Sequence, residues 1–548
     1  VVTPVSIQVF GTEGDDPFAL QDGEEPFEVR MYALRNFGLI GQSATRFRDG
    51  SLNLPVIPFG ADTLVGVMLN GDRGQTEDII LRSGLTTRSF TLNEGDAVPE
   101  LRIFTMPPQR FTRAFGLALE DDFSDAEETT LQFFELGGNN QGIGTRAGFA
   151  HAVLPDGRIV VAGGVEITMQ DGVPTFGQFR NTIEIFDPHA QRWTVLSEPD
   201  CLTSLEACAI RFRTPRAFLT ASVVNGDVVF VGGITQDELR EYPVTNEVLR
   251  LRLLSAFEAE LEVVESFGTP ARAFHTATAI GPDRVIIAGG MGRSYASPSF
   301  PPAVDELIVE GGEVVYSATD LSLNTPRALH AAEYFVTPVE GAPHGIILAG
   351  GRNASSVFAS TEIIYLNGPD LDLIEGPALR VGAFGMASTP LTCRTFSDPG
   401  EYWLLAGGMR QVVADGPLLA GAEPTGALQT YEVAFSEFLA HGDDNLATPR
   451  AFAQAIHFPI TGDMLVAGGV RGDGSVAPDG EWIIRADECN EPLNQGSAPW
   501  RFSVRLNTPR AFATMLRLPS QLGYIIGGTS GSATLSDGEF YNNFDFIE

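Results

Sequence analysis

Between His275 and Gly290 the chain reads HTATAIGPDRVIIAGG: small and apolar residues alternate as far as Gly281-Pro282-Asp283, and a continuous apolar run then ends in two glycines. Alternation marks a strand with one buried face, an unbroken apolar run marks a strand buried on both, and Gly-Pro-Asp is a turn cluster. The segment therefore predicts strand, turn, strand.

The same pattern recurs along the chain. An apolar run closes on Gly163-Gly164, Gly232-Gly233, Gly289-Gly290, Gly350-Gly351, Gly407-Gly408, Gly468-Gly469 and Gly527-Gly528, with successive pairs 69, 57, 61, 57, 61 and 59 residues apart. An arginine precedes each first strand: Arg216, Arg272, Arg327, Arg450 and Arg510 in TPRAF-like contexts, and Arg146 and Arg380 in the looser GTRAGF and LRVGAF. After each glycine pair come a variable loop, a third strand such as Asn181 to Asp187 or Ser360 to Leu366, and a fourth such as Arg192 to Leu196. Four antiparallel strands per repeat make a propeller blade, and seven repeats predict an all-β chain with a seven-bladed propeller.

These residues resemble the kelch repeat, which the Gly-Gly at the end of strand two and the arginine before strand one mark. Its further Tyr/Trp pair is degraded here, with Phe186 and Trp193 near those positions in the first repeat. The resemblance spans roughly residues 110 to 548. The glycines are expected to turn with positive φ and let blades approach closely. The arginines are expected to hydrogen-bond carbonyls or carboxylates between blades; the alternative is a positive ring at one mouth of the channel that attracts an anion.

Closing the ring requires one more strand. After Gly527-Gly528 there is room for a single strand near Gly538 to Ile547, so the last blade's fourth strand is expected from residues 110–136, either Phe111 to Leu119 or Thr130 to Leu136. Residues 1 to about 108 lack the repeat and read as short strands, among them Val5 to Phe10, Phe27 to Leu34, Thr63 to Leu69 and Glu100 to Met106. An immunoglobulin-like β-sandwich over 1–108 followed by a propeller over 109–548 is the domain reading. That order is similar to surface kelch lipoproteins of myxobacteria.

Composition supports many short strands. The 548 residues include 60 Gly and 35 Pro, spread rather than gathered in tracts. The balance of 35 basic against 70 acidic residues gives a net charge of -35, which excludes nucleic acid as a natural partner. All the basic residues are arginine; an acidic, lysine-free composition fits a GC-rich genome and a saline habitat. No run reaches the length of a membrane-spanning helix. The chain opens on Val1, from which removal of a secretory or lipoprotein leader, and an upstream lipid anchor, are the expectation. Cys201 with Cys208, and Cys393 with Cys489, are disulfide candidates of an oxidising compartment. Secreted, periplasmic or cell-surface location follows as the expectation.

Catalytic chemistry is sparse in the sequence. The kelch-like enzyme galactose oxidase holds copper with two Tyr, two His and a Cys crosslinked to one Tyr, and no such set is present; no cofactor, metal or catalytic residue is expected. His275 and His330 follow RAF and RAL at equivalent places as packed first-strand residues, and His151 reads similarly. Arg471-Gly472-Asp473 spells an adhesion tripeptide within an ordinary blade loop, and the acidic stretches at 441–445 and 473–475 fit solvated turns. The long loops Val165 to Arg180, Met291 to Ala303 and Met409 to Ala427 share one face, and Phe176, Phe179, Tyr295, Phe300, Leu418 and Leu419 are candidates to meet a partner there. The reading is a non-catalytic binding or scaffold protein whose partner is a protein, a glycan or another copy of itself; the alternative is a carbohydrate-active propeller enzyme.

Overall fold

In the computed structural model the described residues are 144–541, apart from 171, 188–191, 200–208, 256–257, 266–267, 338–343, 369, 392–401, 414–415, 440–444, 459–462, 484–500 and 519–521, together with the backbone of strands between Thr3 and Phe133. Seven four-stranded antiparallel sheets follow one another along the chain. The first is Ala150–Val153, Ile159–Ala162, Ile183–Asp187 and Arg192–Val195 in that spatial order. The inner strands of the next six are Thr220–Val224, Thr276–Ala279, Ala331–Phe335, Ala387–Leu391, Gln454–Phe458 and Thr514–Arg517. This is an all-β, seven-bladed propeller.

The apolar second strands explain how the blades stack. Strand residues alternate between sheet faces, so Val160 and Ala162 pack toward blade 2 with Leu219 and Phe230, while Ile159 and Val161 pack toward blade 7 with Tyr524 and Ile526. Each of the seven seams has such a cluster, including the one between the last blade and the first. Burial at about 25 cal/mol per Å² of apolar surface makes these seams the main source of stability.

The ring closes through an early strand. Gly538–Tyr541 pairs with Phe111–Arg113, which supplies the fourth strand of blade 7. The other segment considered for this place, around Thr130, instead has Gln132–Phe133 paired with Phe115–Gly116 in a separate sheet.

Ahead of this, one sheet orders Leu52–Ile57, Thr3–Phe10 and Leu101–Phe104, and a second orders Gly38–Arg46, Glu28–Arg35, Thr63–Asp72 and Ile79–Ser89. The packing expected of a β-sandwich over 1–108 lies outside the described residues. So do Cys201, Cys208, Cys393 and Cys489.

Candidate functional site

The axis of the propeller is sealed by two concentric sets of backbone hydrogen bonds. In the outer set, the second glycine of each pair donates to the next blade: Gly164 to Arg216 O, Gly233 to Arg272 O, Gly290 to Arg327 O, Gly351 to Ala383 O, Gly408 to Arg450 O, Gly469 to Arg510 O, and Gly528 back to Arg146 O, all at 2.7 to 2.9 Å. The first glycine of the pair has φ of 63 to 69°, and a side chain at Gly163, Gly232, Gly407 or Gly468 would collide with that same neighbouring carbonyl. Only glycine fits there.

The inner set runs the opposite way. Phe218 N–H donates to Gly148 O, Phe274 to Phe218 O, Leu329 to Phe274 O, Gly385 to Leu329 O, Phe452 to Gly385 O, Phe512 to Phe452 O, and Gly148 to Phe512 O. All seven residues have φ between 53 and 62°, a conformation costly for a side-chain-bearing residue. Five are bulky, and their side chains decide the other two. The Phe218 ring occupies the place a side chain at Gly148 would need, and the Phe452 ring does the same for Gly385.

In six of the seven blades an arginine anchors the inner strand within its own blade. Arg327 donates to Gly350 O at 2.8 Å and Ser360 O at 2.7 Å and pairs with Glu362 at 2.8 Å. Arg450 and Arg510 do likewise with Glu481 and Glu539 at 3.2 and 3.0 Å, and Arg146, Arg216 and Arg272 pair with Glu184, Glu247 and Asp305. These six guanidinium groups are buried, so the alternative of a positive, anion-attracting ring is corrected: each charge is spent on a carboxylate. The inter-blade link is made by the arginine main chain rather than its side chain.

Arg380 is a second correction. It is exposed, and the residue whose carbonyl accepts from Gly351 is Ala383. In blade 5 the carboxylate is replaced as well: Gln429 stands on strand three opposite Leu405, as Glu362 stands opposite Leu348, and its amide bonds Val381 N and O, both at 3.0 Å. Cation and anion are thus exchanged together for a neutral pair, which leaves no buried charge uncompensated.

Above the inner ring the loops between strands two and three close over the axis. Phe179, Tyr295, Leu418 and Leu419 are buried in one cluster with ring residues Phe274, Phe452 and Phe512, and Phe176 and Phe300 pack half-buried against it. The reading of these residues as exposed partner contacts is corrected for Phe179, Tyr295, Leu418 and Leu419, which loops from different blades bury, while Phe176 and Phe300 keep part of their surface open. Phe176 lies 5.0 Å from Tyr295, 5.4 Å from Tyr242 and 5.7 Å from Phe218 between ring centroids.

The blade 5 loop is clamped twice. Tyr295 Oη accepts from Leu419 N–H at 3.1 Å, and Arg352 donates through Nη1 to Leu418 O and Ala420 O, both at 2.9 Å. Sequence reading missed Arg352, which sits just after Gly350-Gly351 where blades 1, 2, 3, 5 and 6 carry Val165, Ile234, Met291, Met409 and Val470. Its guanidinium lies 4.9 Å over the Phe384 ring and is buried; burial lowers its pKa to about 10, so it remains charged at neutral pH. Burial likewise raises that of Tyr295, which stays a phenol.

Further bonds lock loop to loop. Val244 N donates to Arg293 O and Tyr295 N to Tyr242 O, joining blades 2 and 3, and Met169 N donates to Gly531 O, joining blades 1 and 7. Arg471 of the adhesion-like tripeptide is paired with Asp479 at 2.9 Å, and Asp473 is turned back on Ser475. The outward surface of this cap carries Leu239, Arg240, Arg293, Arg410 and Glu423 exposed. Among the described residues no cluster of metal-ligating side chains is present, and no helix is long and apolar enough to cross a membrane.

No protein-family model matches the chain, and no curated protein matches it. Among solved structures it is similar to one titled "Structure of YjhT", with a TM-score of 0.43 at 12% identity, over 63% of this chain and 96% of that one.

Proposed function

We propose that this is a non-catalytic binding or scaffold protein of the kelch-propeller kind, with a β-sandwich over 1–108 and the propeller over 109–548, that works outside the cytoplasm and meets its partner on the capped face. The observation that carries the reading is the fixed geometry of the cap loops. Arg240, Arg293 and Glu423, all exposed, have φ of 56, 64 and 55°, which for non-glycine residues costs on the order of 1 kcal/mol each. Loops held in place against such strain lose little freedom on binding, which favours affinity. Leu239, at 79% exposure, projects from the same surface. The partner is a protein, a glycan or another copy of the chain.

A cap variant combining Leu239→Asp, Arg240→Glu, Arg293→Glu and Arg410→Glu tests this in the native assembly. It is expected to lose association, while Glu260→Arg with Asp370→Arg on outer strands keeps it; a cap variant that still associates overturns the reading. Thiol titration of the denatured, unreduced protein tests the location: the Cys201–Cys208 and Cys393–Cys489 pairs predict no free thiols, and four would remove them. A stoichiometric metal in the purified protein would favour the carbohydrate-active enzyme instead.

A further inference from the structure

The residue after each inner-ring position packs toward the preceding blade, beside its glycine pair. Five blades place an apolar side chain there: Phe149, Leu219, Met386, Ala453 and Ala513. Blades 3 and 4 place His275 and His330, only 6 and 7% exposed. Each ring uses Nε2 to reach a hydroxyl of the preceding blade, His275 to Thr220 Oγ1 at 2.9 Å and His330 to Thr276 Oγ1 at 3.0 Å. Neither Nδ1 has a hydrogen-bond partner.

We propose that the seams joining blades 2, 3 and 4 form an acid-operated switch, in which protonation of His275 and His330 opens the inner ring at Phe274 and Leu329 and loosens the aromatic cap above it.

The chemistry of the slot supports this. A neutral imidazole leaves one bare lone pair, a modest cost; the protonated ring carries a second N–H with no acceptor. The charged neighbours make matters worse. Arg272 and the other histidine disfavour a charge on His275, as Arg327 does on His330. The carboxylates nearby, Asp305 and Glu362, are already committed to those arginines, and Tyr316 also bonds Asp305.

The direction follows from linkage. Burial, then Arg327, lowers the His330 pKa to about 3, and burial, then Arg272, holds that of His275 well below its ordinary value. An opened seam returns both toward about 6.5, so it binds more protons and gains population as pH falls below that value; above it neither histidine contributes. At pH 5 the expected gain is roughly 30-fold for each histidine. The opening reaches the cap because Phe274 and Leu329 directly precede the histidines, and the Phe274 ring lies 4.4 Å from Phe218 and 6.2 Å from Tyr295.

Hydrogen exchange of the full chain at pH 7.5 and 5.0, corrected for intrinsic rates, is the test, whether or not the cap binds a partner. The amides of Phe274 and Leu329 are expected to accelerate by about 30-fold or more, and that of Phe512 in blade 7, which donates to Phe452 O, to remain slow. His151 and His457 lie further along the inner strands of blades 1 and 6, and the blade 7 inner strand Thr514–Arg517 carries no histidine, which makes blade 7 the internal control. Two variants remove the titration: H275L/H330M installs residue types found in this slot in blades 2 and 5, and H275Q/H330Q keeps a polar group toward the threonines. Either is expected to abolish the selective acceleration. Acceleration equal in all blades, or retained by whichever variant folds, overturns the proposal.

Discussion

Tyr295 of blade 3 and Leu419 of blade 5 are joined over the propeller axis by a 3.1 Å hydrogen bond from the Leu419 N–H to the Tyr295 hydroxyl. They are 124 residues apart in the chain. With Arg352 of blade 4 holding the carbonyls on either side of Leu419, three blades fix one segment. Replacing Arg352 by Met, the type found at this place in blades 3 and 5, leaves Leu418 O and Ala420 O unpaired at a cost of about 2 kcal/mol. Hydrogen exchange should quicken over 409–424 first, with the outer strands little changed.

The arginine and acid of a blade form a unit that blade 5 shows can be neutral. Arg327→Ala strands a buried Glu362 and is expected to cost about 3 to 5 kcal/mol in urea unfolding. Arg327→Ala with Glu362→Gln, imitating Ala383 and Gln429, should recover most of that loss. A double variant no more stable than the single one would show that the charge was not the cause.

Gly148 and Phe218 are coupled through space. Gly148→Ala meets both the Phe218 ring and a φ of 58°, and should cost roughly 2 to 3 kcal/mol. In Phe218→Ala the steric part disappears and only the backbone strain remains. Denaturation midpoints around the double-mutant cycle should therefore reveal a favourable coupling.

A net charge of -35 repels itself. Raising salt from about 0.02 M to about 0.5 M shortens the screening length several-fold and should raise the melting temperature. A flat or falling response would mean that the paired arginines, not surface repulsion, govern the salt dependence.

The fold was legible in the sequence because its demands are local and repeated. Each first glycine must lack a side chain where the next blade's carbonyl passes, so the pair recurs in every blade. Arg380 shares the letter of the repeat but not its register: in blade 5 it is Ala383-Phe384-Gly385, not an arginine, that occupies the anchoring, bridging and ring positions. The cap was illegible for another reason. Phe176 and Phe179 lie on a hairpin strand, Val173–Phe179, inserted between strands two and three of blade 1, and Tyr295, Leu418 and Leu419 lie in loops; contacts with other blades cover them. Arg352 was hidden in the same way, being an arginine where most blades put an apolar residue.

The most direct test of the capped face as the binding surface is a reconstruction of the protein within its native assembly. Partner density is expected over Leu239, Arg240, Arg293 and Arg410, with the loop at 418–420 still clamped by Tyr295 and Arg352. Density confined to the outer strands or the opposite face, with the cap open to solvent, would contradict it.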